Sequence, residues 1–102
     1  MKYYVLSGVY NGTGPDAETA AALLPGHKAF VAAGVERGDV LFGGPRASGV
    51  SGMILVRAES EEALMAYIAT DPMVAHGIQH YEITEILPME HQNYMAPWLE
   101  QR

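Results

Sequence analysis

Val40-Leu41-Phe42-Gly43-Gly44-Pro45, and then Met53-Ile54-Leu55-Val56-Arg57-Ala58, decide how this chain folds. Each is a short run of branched and aromatic residues bounded by turn formers. They read as two strands, Val40–Phe42 and Met53–Ala58, joined through a glycine-rich loop from Arg46 to Gly52. Both runs are apolar at consecutive positions, whereas a sheet with one face in water alternates.

Upstream, Tyr3 to Tyr10 reads as a first strand, closed by Asn11-Gly12-Thr13-Gly14-Pro15. Asp16 to Leu24 reads as a short helical segment, and Pro25 suits the first turn of the main helix, where its missing N–H costs nothing. His27, Phe30, Val31, Gly34 and Val35 then fall on one helical face, with Gly38 as the stop. Downstream, Ser60 is an N-cap followed by Glu61 and Glu62, which complement the helix dipole. Leu64, Tyr67, Ile68 and Asp71 share a face of this second helix, and Asp71-Pro72 breaks it. Met73 to Gly77 reads as a turn and Ile78 to Leu87 as the fourth strand.

The order is βαββαβ, so residues 1–88 are expected to form an α+β, ferredoxin-like domain with a four-stranded antiparallel sheet. Residues 89–102 form a C-terminal tail holding the chain's one tryptophan. Tyr94, Met95, Trp98 and Leu99 are too apolar for a free terminus, so the tail should pack on the domain or on a partner subunit; Pro97 argues against one continuous helix there. In this topology both helices cover one sheet face. The apolar second face needs cover as well, and a second copy of the sheet is the economical way to supply it, which predicts a homodimer.

Composition narrows the function. The 102 residues amount to one domain, with 12 acids, 6 Lys and Arg and a formal net charge of −6. The cations are scattered and never adjacent, which argues against nucleic acid and against an anionic membrane surface. No apolar run is long enough to span a bilayer. Cysteine is absent, so disulfides, thiolate nucleophiles and Cys-based metal sites are excluded. The N-terminal residues lack a signal-peptide pattern, and the cytoplasm is the default location.

The topology alone brings three candidates together. The start of the first helix, the end of the second and the Gly43–Gly52 loop share one end of the domain, where His27, Asp71 and Arg46 should meet. A histidine near a helix N-terminus feels a positive dipole that favours the neutral, proton-accepting form. Asp71 could orient its ring and stabilise the imidazolium, or simply cap the Pro72–His76 turn. Arg46 could hold an anionic oxygen, with Gly44, Ser48 and Ser51 as further substrate-binding groups. His76 is the best outside candidate for the same site. Each has a plainer reading: packing for His27, solvation for Arg46, turn geometry for the glycines. The loop is not a phosphate loop, since it lacks the lysine and following helix. A His27/Asp71/His76 metal set matches no established ligand spacing, so no metal and no cofactor are expected.

The residues now in view resemble the YCII-related family. The likeness rests on Pro25-x-His27, Gly43-Gly44-Pro45-Arg46, Ser60-Glu61-Glu62-Ala63, Asp71-Pro72, Gly77 and Tyr81-Glu82-Ile83-Thr84-Glu85, in this order. The resemblance implies a small dimeric α/β-barrel protein, one branch of whose family eliminates chloride from a chlorinated hydroxyquinol. Many relatives carry arginine before the Pro-x-His proline, where this chain has Leu24. If that arginine binds an anion, this chain lacks the contact or uses Arg46.

The leading expectation is a small-molecule enzyme of lyase or isomerase type with His27 as base. Alternatives are a cofactor-independent monooxygenase on the same fold and a non-enzymatic metabolite-binding or dimerisation module.

Overall fold

In the computed structural model, which describes residues 1–99, one antiparallel sheet carries its two long helices on a single face. The elements are β1 (Lys2–Tyr10), α1 (Ala17–Arg37), β2 (Val40–Pro45), β3 (Gly52–Ala58), α2 (Glu61–Ile68), α3 (Pro72–Ala75) and β4 (Gln79–Ile86). A 3₁₀ turn (Asn93–Met95) and a last helical turn, α4 (Ala96–Leu99), follow. The strand order β2-β3-β1-β4 is that of the ferredoxin-like fold. Among the described residues no helix is long and apolar enough to cross a membrane.

The first helix departs from expectation. It is continuous from Ala17, and Pro25 lies inside it. Asp16 supplies the cap, its carboxylate accepting the Thr19 N–H at 2.7 Å. The alanine-rich start then holds helical geometry through the proline. Pro25 forgoes one bond to the carbonyl of Ala21, which lies on an exposed turn where water can take it. His27 therefore sits in the helix interior, and the N-terminal dipole does not act on it. The end is as predicted: Gly38 adopts a left-handed φ of 85° and Asp39 N–H returns to the Gly34 carbonyl at 3.0 Å.

Ser60 caps α2 through the Ala63 N–H at 3.1 Å. That helix ends at Ile68, before Asp71, and the expected turn after Asp71 is the one-turn helix α3. β2 runs on through Gly43 and Gly44 to Pro45, past its expected end at Phe42. An edge strand tolerates these residues, and a register shift between Val40 and Phe42 re-aims the glycines.

Tyr4 and Leu6 of β1, Ile54 and Val56 of β3, and Val40 of β2 meet Phe30, Leu64 and Ile68 beneath the helices. The other face carries the row Phe42–Leu55–Val5–Thr84 and, beside it, Met53–Ser7–Glu82. The tail covers one end of this face. The Trp98 ring packs 5.4 Å from that of Tyr3, its N–H reaches the Gly38 carbonyl at 2.7 Å, and its carbonyl accepts Arg57 Nη1 at 2.9 Å. Tyr94 is not packed, being 81% exposed. Residues 100–102 of the tail lie outside the described part.

Candidate functional site

A glycine lets the helices close on the site. At Gly26 an added Cβ would lie 2.9 Å from Pro72 Cγ, so α1 and α3 touch where His27 meets Asp71. Nδ1 of His27 stands 3.0 Å from Asp71 Oδ1. Asp71 is fully buried, yet four donors surround its carboxylate. His27 Nδ1 and the Met73 N–H bond Oδ1, both at 3.0 Å. Gln79 Nε2 at 3.1 Å and the Tyr81 hydroxyl at 2.7 Å bond Oδ2. Capping and orienting are thus performed by one side chain.

Burial alone would push the Asp71 carboxyl up. The bonds from His27, Tyr81 and the Met73 N–H outweigh burial and hold it below the ordinary carboxylate value. Burial, and the bond donated to Asp71, push the Tyr81 phenol up, so it stays protonated. An ionised Asp71 accepts only, so the neutral His27 ring carries its proton on Nδ1. Nε2 is then the lone-pair nitrogen, on a side chain 27% exposed.

His27 lines a cleft of about 560 Å³ between α1 and the β2–β3 hairpin. Leu24, Val31, Ile54 and Met73 supply apolar wall, and Gly43, Gly44, Gly49 and Gly52 a wall without side chains. Tyr10, Ser51, Gln79 and Tyr81 are among its hydrogen-bonding groups; among the described residues Lys28 is the one Lys or Arg that lines it, and no carboxylate does.

Of the residues singled out from the sequence, His27 and Asp71 meet, and Gly44 and Ser51 border the same cleft. The others stand apart. The Arg46 guanidinium bonds the carbonyls of Gly8 at 2.8 Å and Val50 at 3.0 Å, clipping the loop onto β1. Ser48 accepts the Val50 N–H in an exposed turn. His76 Nδ1 lies 2.9 Å from the Pro72 carbonyl and does not border the cleft. Among the described residues no cluster of three His, Asp or Glu side chains forms.

Gln79, Tyr81 and Tyr10 were missed. Gln79 and Tyr81 alternate onto the helix-covered face of β4, and a glutamine at a core-facing strand position was the available signal.

Fold and site together define a ferredoxin-like α+β domain with a histidine–aspartate pair at the head of a mostly apolar cleft. The chain belongs to the YCII-related family, whose domain model matches residues 1–90. No curated protein matches it. Among solved structures it is similar to 5-chloro-2-hydroxyhydroquinone dehydrochlorinase from Burkholderia phenoliruptrix AC1100, in complex with 2,5-dihydroxybenzoquinone. The TM-score is 0.63 at 14% identity, over 92% of this chain and 98% of that one. At this identity the likeness concerns the fold.

Proposed function

We propose that this protein is a small-molecule acid–base enzyme of lyase or isomerase type, in which His27 Nε2 takes a proton from a substrate held in the cleft. The observation that carries the reading is the 3.0 Å contact between His27 Nδ1 and a fully buried, four-fold bonded Asp71. The aspartate fixes the ring by its acceptor character and faces the imidazolium once the proton has moved. In an elimination, the electron pair left behind forms the new double bond and the leaving group departs with its own pair. Apolar walls keep water from competing for the proton. The dehydrochlorinase named above catalyses a reaction of this class, which supports elimination as the first chemistry to test.

The reading includes a homodimer. Phe42 is 67% exposed and Met53 43% exposed on the face opposite the helices. A second sheet packed there would remove both from water. It also includes a cytoplasmic working place, for which the cysteine-free chain is the support.

The test is chloride release from 5-chloro-2-hydroxyhydroquinone, followed with a chloride electrode. The wild type should release chloride, and His27→Ala should fall by about 10²–10⁴-fold, the share general base catalysis contributes. His27→Ala with wild-type turnover and a lowered melting temperature would reduce His27 to a packing residue.

A further inference from the structure

Ser51 occupies an improbable position. Its φ of 55° is left-handed, a conformation rarely adopted with a side chain, although Gly49 and Gly52 lie close by in the same loop. Every polar group it has is engaged. Its N–H donates to the Tyr10 hydroxyl at 3.2 Å, its carbonyl accepts the Arg46 N–H at 3.0 Å, and Oγ stands 3.0 Å from Gln79 Oε1. The interior strand makes room for that hydroxyl: a Cβ on the buried Gly8 would lie 2.2 Å from Ser51 Oγ. A disfavoured backbone and a glycine in the middle of the sheet both serve to seat one hydroxyl at the cleft.

The direction of each bond follows from Asp71. Gln79 turns one end of its amide to Asp71 Oδ2, which accepts, so that end is the NH₂ group. The end facing Ser51 is therefore the carbonyl, and the Ser51 hydroxyl must donate to it. With its proton committed inward, Oγ offers only lone pairs to the cleft that Ser51 lines. Tyr10 is the reverse case, since its oxygen accepts from Ser51 N–H and its proton remains to be given.

We propose that Ser51 is a specificity-determining residue that accepts a hydrogen bond from the ligand, so that the cleft selects compounds presenting a donor group (hydroxyl or N–H) on an apolar body. This rests on the cleft being the ligand site of the proposed function. It adds a polarity rule: an analogue with the donor masked leaves Ser51 unpaired against the ligand and is rejected.

The test is an NMR titration of the full chain, nitrogen-15 labelled, with resorcinol and with 1,3-dimethoxybenzene. The two share a ring and oxygen positions and differ in O–H against O–CH₃. The wild type should bind resorcinol more tightly. Ser51→Gly keeps a backbone that φ of 55° suits, and should weaken resorcinol by about five- to tenfold, the worth of one hydrogen bond, while leaving the ether as it was. Because the methyl groups crowd both proteins alike, the change in ratio isolates the hydroxyl. Ser51→Ala, which retains Cβ, should behave like Ser51→Gly. A wild type without preference, including one that binds neither probe, overturns the proposal, as does an unchanged ratio in the variants. Both readouts are binding. Failure of chloride release with the preference intact sinks the acid–base reading alone, and His27-dependent turnover with an unchanged ratio sinks this proposal alone.

Discussion

His27 Nδ1 and Asp71 Oδ1 lie 3.0 Å apart although 44 positions separate the two residues in the chain. One partner is solvent-accessible at the cleft and the other fully buried, so the two should respond differently to substitution. Asp71→Asn replaces a charged acceptor shared by four donors with a neutral amide whose NH₂ end cannot accept, so bonds around it must be lost or reversed. It should cost about 2–4 kcal/mol in urea denaturation, the range for breaking a buried, hydrogen-bonded charge. His27→Ala leaves three of the four donors in place and opens Asp71 to water from the cleft, and should cost less. Equal costs would mean that the pair is not organised around the carboxylate.

Asp71 also sets an acid limb of stability. Its folded-state value lies below that of the unfolded chain, so between the two the unfolded state binds more protons and stability rises with pH. The contribution is complete above the unfolded value of about 4 and is lost as pH falls through the lower folded value. Urea midpoints across that acid window should slope upward with pH in the wild type, and the slope should shrink in Asp71→Asn. Parallel slopes would show that the carboxylate is no better held in the fold than in the unfolded chain.

Gly34 is a packing requirement within α1. A Cβ there would lie 2.5 Å from both the Tyr67 hydroxyl and Val40 Cγ2, and that hydroxyl donates to the Phe30 carbonyl at 2.8 Å. Alanine is better than glycine in a helix by about 1 kcal/mol. Overpacking costs about 1–3 kcal/mol, and here it also threatens a half-buried bond. Gly34→Ala should therefore lower the melting temperature, and a higher one would mean that Tyr67 has somewhere else to go.

Phe42 tests the sheet-to-sheet dimer. Phe42→Glu places a charge on the exposed apolar row without touching the helix-covered core. Sedimentation at micromolar concentration should show the wild type as a dimer and the variant as a monomer with the same far-UV circular dichroism. A wild type that sediments as a monomer removes the homodimer from the reading.

Much of the architecture was legible because local chemistry and fold agree. Ser60 caps its helix, Gly38 stops the one before it, and two apolar runs around a glycine loop became the β2–β3 hairpin. The boundaries that moved are those where a neighbour outvotes propensity. Gly43 and Gly44 would end an isolated strand, but pairing with Ile54 and Met53 carries β2 through them. Pro25 would open a helix, but a good cap at Asp16 and an exposed turn let the helix begin eight residues earlier, at Ala17.

The meeting of His27 with Asp71 was expected from two helix ends, but it forms from the middle of α1, because the helix begins at Ala17 and carries His27 past its first turns. Who else joins them did not follow from the order of the elements. Arg46 was drawn away by the carbonyls of Gly8 and Val50, and Gln79 and Tyr81 were drawn in by a buried carboxylate that needs donors. Residue order determines which face and which end of the domain a side chain occupies. Which hydrogen bonds it spends there is decided in the tertiary structure, because the demand comes from polar groups that only folding removes from water.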